Sequence, residues 1–211
     1  VDAEVWSDYL CPWCYLGLSR SSLLESLGVA VTPLPYELHP EIPAAGWSIA
    51  QDRGRRLYGR IAADCEAAGL APPVRPGRIP NTRAVLAASE WVRRNSSRSV
   101  HQRLHRSLFD AMFVDGLDLG DPAVVDHLVA SAGADAEACR AAVSSGAMDA
   151  ALASSRERAV DHGVAGTPAW LLDGRLLIPG VQPDDYYRRM VTRLGSASTP
   201  LRTEASQTPE G

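Results

Sequence analysis

The strand pattern of this chain opens at its first residue, breaks off, and returns only near its end. Few folds accommodate that interruption. Residues 1 to 8, VDAEVWSD, set Val1, Ala3 and Val5 against Asp2 and Glu4, and this period of two predicts a strand. From Pro12 to Leu27, the residues Leu16, Leu23, Leu24 and Leu27 keep helical spacing. Pro12 suits the first helical position and Gly28 the position after the last turn. A second strand is expected over Val29 to Glu37, which completes the strand–helix–strand unit of a parallel sheet.

The pattern then turns helical, as an insertion would. Ser48 with Gln51 reads as a capping box, and Leu57, Ile61, Cys65 and Ala68 form one stripe before Gly69. A proline-rich connection, APPVRPGRIP, precedes a helix over Thr82 to Arg94. Another helix is expected from Val100, carrying Leu104, Leu108 and Met112 and stopping at Asp115-Gly116. Asp121-Pro122 and Asp135 read as the starts of two more, the first with Val124, Val125, Leu128 and Val129, the second with Ala136, Cys139, Ala142 and Val143. Cys65 and Cys139 therefore read as core residues.

A helix over Met148 to His162 ends at Gly163, and the strand pattern resumes. Ala169 to Leu172 and Leu176 to Ile178 flank Asp173-Gly174, a pair that readily takes the positive φ values of a type I′ hairpin turn. Pro183 opens a last helix with Asp184 and Asp185 in its first turn and Arg188, Arg189 and Arg193 toward its end. The expected order is β-α-β, a helical insert, then α-β-β-α: a thioredoxin fold interrupted by an all-helical domain. The expected boundaries are residues 1–40 with 145–194 for the first unit, 41–144 for the insert, and 195–211 for a disordered polar tail.

Composition excludes more than it assigns. A net charge of −4, with arginine supplying all 21 basic residues, offers no basic run for nucleic acid or an anionic membrane. No apolar stretch reaches the roughly 18 to 20 residues of a membrane helix. The chain begins at Val1 without a recognisable leader, so a cytoplasmic protein is expected, with a leader removed before Val1 left open.

The chemistry concentrates in "SDYLCPWCYLG", residues 7 to 17. Cys11 falls at the N-cap of the first helix and Cys14 one turn further on. The thiolate is the nucleophile in disulfide exchange, and the positive end of a helix favours it. Cys11 would attack and Cys14 would resolve the mixed disulfide. Pro12 and Trp13 carry no charge, so the thiolate must rely on the helix terminus and nearby donors; Trp13 would offer an apolar rim. Three other readings compete. A zinc site would need a second close ligand pair, for which His101 and His105 are the nearest candidates. A structural disulfide around two residues would remove little chain entropy. Both thiols could also simply be buried. A second element, "VAGTPAW" at 164 to 170, sets Gly166-Thr167-Pro168 before the hairpin; alone it reads as a turn with a trans proline.

Together these stretches resemble the DsbA family of thiol–disulfide oxidoreductases. They are most similar to its FrnE-like branch, a group linked with polyketide biosynthesis and related to 2-hydroxychromene-2-carboxylate isomerases. Matching segments are "SDYLCPWCYLG", "YELHPEIPAAG" at 36 to 46, Asn81-Thr82, "LFDAMFVDGLDLGD" at 108 to 121 and "DHGVAGTPAWLLDGRLLIPGVQP" at 161 to 183. The resemblance spans residues 3 to 194. It implies that Pro168 is a cis-proline facing Cys11 and Cys14 and keeping metal from them, and that Thr167 offers its backbone to an extended substrate. The branch often has Gly-Val-Pro-Thr where this chain has Gly-Thr-Pro-Ala. The partner implied is a protein or small-molecule thiol or disulfide, with no cofactor and no bound metal, and a homodimer through the insert is left open. Two other functions stand beside it: a glutathione-dependent isomerase, in which a serine usually replaces Cys11, and a zinc-held interaction module.

Overall fold

The chain, described by a computed structural model over residues 1–48 and 55–197, runs β1 (Asp2–Ser7), α1 (Pro12–Ser26), β2 (Ala30–Pro35), β3 (Trp47–Ser48), α2 (Arg55–Ala67), β4 (Arg78–Ile79), α3 (Arg83–Asn95), α4 (Arg98–Phe113), α5 (Pro122–Ser131), α6 (Ala136–Ser144), α7 (Asp149–Asp161), β5 (Ala169–Leu172), β6 (Leu176–Pro179) and α8 (Asp184–Ala197). β1 pairs in parallel with β2 and antiparallel with β5, and β5 with β6, giving the sheet order β2-β1-β5-β6. This is a thioredoxin-like mixed sheet with a helical region inserted between its halves. Among the described residues, no helix is long and apolar enough to cross a membrane.

The period of two sorts the sheet's side chains onto two faces. Ala3, Val5, Trp170, Leu172 and Ile178 pack with Leu24 of α1 and with Tyr187 and Leu194 of α8. Trp6, Ala169 and Leu171 pack with Ala159 of α7 and with Val164. The Trp6 indole donates to the Ser155 carbonyl at 3.2 Å, and the Ser155 hydroxyl donates to the Pro35 carbonyl at 2.7 Å, tying α7 to the edge strand β2. A fully buried apolar side chain of this size stabilises the fold by roughly 1.5–3 kcal/mol.

The insert has its own core, and the cysteine loop belongs to it. Tyr9, Cys11, Cys14, Tyr15 and Leu16 are buried with Ile61 and Cys65 of α2, Val85 and Leu86 of α3, Leu104, Leu108 and Met112 of α4, and Cys139 of α6. One side of α1 thus lies against the sheet and the other against the insert. Asp121 and Asp135 cap α5 and α6 by accepting from Ala123 N and Ala138 N, at 2.9 and 3.0 Å. Asp173 (φ 49°) and Gly174 (φ 64°) make the β5–β6 turn.

Three details differ from the sequence expectations. α4 begins at Arg98 and is capped by the Ser97 hydroxyl accepting from Val100 N, because several serines there offer equivalent caps. The proline-rich connection contains β4, which pairs antiparallel with β3 in a ladder of two residues, so the insert is helical except at this short ladder. α8 continues to Ala197, past the expected start of the tail at residue 195, which leaves the last turn without basic residues. Arg189 instead pairs with Asp185 one turn back. Gln51 of the expected capping box, the Leu57 side chain and the rest of the expected tail lie outside the described residues.

Candidate active site

β1 ends at Ser7, and three residues carry the chain to Cys11, which holds extended angles (φ −88°, ψ 110°) as the N-cap of α1. The Cys11 N–H donates to the Asp8 carbonyl at 3.0 Å, and its carbonyl accepts from Cys14 N at 2.9 Å and Tyr15 N at 3.3 Å. Pro12 suits the first helical position because its missing N–H has no partner to lose there. Both thiols are free and buried, with 4% and 3% of their residue surfaces exposed. The Cys11 thiol donates to the Thr167 carbonyl, Sγ to O 3.6 Å, and the Thr167-Pro168 peptide is cis. Segments 11–14 and 167–168, read separately in the sequence, meet.

The two sulfurs differ electrostatically. The Cys14 thiol, donating to Cys11, pulls the Cys11 pKa below the ordinary thiol value against the effect of burial, with help from the Thr167 hydroxyl and the Cys14 N–H. Burial pushes Cys14 well above that value, and the neighbouring Cys11 adds to the rise. Cys11 ionises first. The Thr167 Oγ1 is buried and has no formed hydrogen bond, yet it lies close enough to favour a thiolate on either sulfur. Such a pair can attack a disulfide through one sulfur and resolve through the other.

Trp13 is half-buried and lines a cleft of about 620 Å³ with Leu16, Arg20, Asp64 and Gln182; neither cysteine is among its lining residues. The Arg20 guanidinium donates to the Gln182 carbonyl at 2.9 Å and pairs with Asp184 at 3.2 Å, joining lining residues of the cleft to one another.

The model of the DSBA-like thioredoxin domain matches residues 3–191. The chain belongs to this family. Its fold is similar to that of a protein described as a probable DsbA oxidoreductase from Streptomyces coelicolor, with TM-score 0.83 and 23% identity over 99% of both chains. It is also similar to a 2-hydroxychromene-2-carboxylate isomerase, with TM-score 0.71 and 20% identity over 93% of this chain and 96% of that one. A third likeness is the cytosolic disulfide reductase DsbM from Pseudomonas aeruginosa, determined with GSH: TM-score 0.68, 22% identity, 92% of this chain and 100% of that one. These structural likenesses carry the fold.

In this DSBA-like domain, His101 and His105 do not join Cys11 and Cys14. His105 Nδ1 bonds the Tyr9 hydroxyl at 2.9 Å, that hydroxyl bonds Ser89 Oγ at 2.7 Å, and Ser89 meets His101 Nε2 at 3.2 Å. Among the described residues, no group of three or more His, Cys, Asp or Glu is arranged to hold a metal ion. Cys65 and Cys139 are buried core residues, each with its thiol pushed up to about 11 by burial.

Three residues of the site escaped the sequence reading. Asp8 is fully buried ahead of Cys11. Tyr9 anchors the buried hydrogen-bond chain just described. Gly17 lets α1 approach β5: a Cβ there would stand 3.2 Å from Trp170 Cη2 and 3.4 Å from Pro168 Cγ. The available signal was an acid and a phenol inside an otherwise apolar strand-to-helix junction.

Proposed function

We propose that this chain is a dithiol–disulfide oxidoreductase in which Cys11 attacks and Cys14 resolves. The observation that carries the reading is two free, buried cysteines one turn apart at a helix start, with the Cys11 thiol donating to the Thr167 carbonyl beside a cis Thr167-Pro168 peptide. The Cys11 thiolate attacks a substrate disulfide, forms a mixed disulfide and releases one substrate thiolate. Cys14 then loses its proton and attacks Cys11, releasing the second. Donation from the Cys14 thiol and the Thr167 hydroxyl offsets the desolvation of Cys11, which a helix terminus alone would leave partly unopposed. Thr167 and Pro168 form the wall against which an extended substrate lies, and Pro12 and Trp13 form the opposite rim. Residues 1–40 with 145–194 act as the redox unit and 41–144 as a helical cover.

The matched motifs support membership of the FrnE-like branch, and with it a role in polyketide or other secondary metabolism on a protein or small-molecule disulfide. The DsbM relative, described as cytosolic, supports a cytoplasmic site of action. A second reading, a glutathione-dependent isomerase, has its own support: the cleft beside Trp13 is large enough for a small aromatic molecule, and a relative of that activity shares the fold.

Thiol titration with and without reductant, followed by disulfide reduction by wild type, Cys11→Ser and Cys14→Ser, tests both. The dithiol reading expects a reversible two-electron pair, loss of turnover in both variants, and accumulation of a mixed disulfide only in Cys14→Ser. Full disulfide reduction by Cys11→Ser would overturn it. Glutathione-dependent isomerisation that survives Cys11→Ser would favour the second reading instead.

A further inference from the structure

A second cleft, of about 470 Å³, opens at the end of the sheet where β1 and β2 begin, lined by Asp2 and Ala30, which lie in register. The dithiol follows the other end of β1, beyond Ser7, which lies roughly 16 Å along the strand from Asp2. Neither cysteine lines this cleft. Two helix faces complete it. Glu90, Arg93 and Arg94 share one face of α3, Ser154 and Arg158 share one face of α7, and Arg98 enters from the first position of α4.

The four guanidinium groups are already held in place. Glu90, with 2% of its surface exposed, accepts from Arg93 Nε and Nη2 at 2.7 Å each and from Arg94 Nε at 2.6 Å. Glu4 accepts from Arg158 Nε at 2.8 Å and pairs with its Nη2 at 2.7 Å. The Val31 carbonyl of the edge strand β2 accepts from Arg98 Nη2 at 2.8 Å, and Glu25 stands 3.8 Å from the same nitrogen. Donors are left over. Among the described residues, Nη1 of all four arginines, Nη2 of Arg94 and Nε of Arg98 make no hydrogen bond. Four arginines face three carboxylates, Asp2, Glu4 and Glu90, so the cleft carries a surplus positive charge in a chain of net charge −4. Pairing and edge capping use part of this donor set and do not require all four arginines to converge on a shared space.

We propose that this cleft binds the phosphate groups of a small phosphorylated molecule, independently of Cys11 and Cys14. Guanidinium forks match phosphate oxygens two at a time, and a ligand need not order side chains that the acids already hold. A carboxylate presents its oxygens in one plane, whereas a phosphoryl group presents three around an axis, which suits arginines arriving from α3, α4 and α7. The bounded volume suits a small molecule, and the sequence offers no basic run for a nucleic-acid chain. Asp2, exposed and without an ion-pair partner among the described residues, opposes the ligand.

Metal-free calorimetric titration of the full chain with pyrophosphate, ATP, adenosine and citrate, at about 0.15 M salt, tests this. Pyrophosphate and ATP should each bind saturably, one per chain, with citrate about tenfold weaker and adenosine silent. ATP tighter than pyrophosphate would name a nucleotide as the source; ATP no tighter would name a simple phosphate. Arg94→Gln and Arg98→Gln should each weaken pyrophosphate binding about tenfold by removing charge-assisted hydrogen bonds. Asp2→Asn should strengthen it about threefold by removing an exposed like charge, and keeps the test decisive should an arginine variant fail to fold. No saturable pyrophosphate binding in the millimolar range, citrate or adenosine binding as tightly as pyrophosphate, or affinities unchanged in the folded variants would overturn the inference.

Discussion

Mild acid should loosen the join between the cysteine loop and the helical insert. His101 and His105 are buried with 4% and 8% of their surfaces exposed, and the chain His105–Tyr9–Ser89–His101 leaves them neutral. Burial lowers the His101 pKa to about 4, with Arg93 adding to the effect, and that of His105 to about 3, with His101 adding. In the unfolded chain both titrate near 6.5. Their contribution to stability is therefore complete above about pH 6.5 and is lost as the pH falls toward the folded values, about 3 kcal/mol for His101 and about 5 kcal/mol for His105 when fully lost. Asp8 acts oppositely. Its folded pKa, about 6, lies above the unfolded value of 3.8, so its proton returns about 3 kcal/mol as the pH falls across that interval. Near pH 5.5 the unfolded chain holds about 1.8 more protons on the two histidines, and the folded chain about 0.75 more on Asp8. The net is about one proton, or a loss of about 1.4 kcal/mol per pH unit. Glu90 does not interfere: burial raises its pKa, but Arg93 and Arg94 more than offset this and hold it below the glutamate range.

Urea unfolding at a series of pH values between 7 and 5 would measure this slope. His101→Gln with His105→Asn keeps hydrogen-bonding groups near Nε2 and Nδ1 but removes both titrations, leaving Asp8 to dominate. The double variant should then gain stability, by up to about 1 kcal/mol per unit, as the pH falls toward 5.5. A wild-type stability that is flat between pH 6.5 and 5, or a double variant that keeps the wild-type slope, would refute the reasoning.

Two further substitutions separate chemistry from packing. Thr167→Val should raise the Cys11 pKa and slow attack near neutral pH, while stabilising the dithiol form by about 1 kcal/mol, because it removes a buried hydroxyl that lacks a partner; thiolate absorbance and urea unfolding measure the two. Gly17→Ala should be nearly neutral, its helix propensity offsetting the tight 3.2 Å approach to Trp170, whereas Gly17→Val should destabilise by about 1–3 kcal/mol and slow thiol exchange by pushing on Pro168.

What the sequence disclosed was local. The β1–α1–β2 unit, the caps Asp121 and Asp135, and the Asp173-Gly174 turn each depend on residues within one turn or one pleat of one another. The β3–β4 ladder was illegible because two residues carry no periodicity and their partners lie some thirty positions apart. Asp8 was illegible for the same reason: its burial is created by Leu38 and Thr82, which the fold brings in from distant segments.

This division has a chemical counterpart. The strand-to-helix junction and the CxxC spacing decide which sulfur ionises first, and both can be read within residues 7 to 17. The energy of that ionisation depends on groups the fold delivers from elsewhere: the Thr167 hydroxyl from beyond the insert, and the Asp8 charge buried by Leu38 and Thr82. One set favours the thiolate and the other opposes it. Exchanging either, with CPWC unchanged, should therefore move the potential of the pair while leaving its order of attack intact.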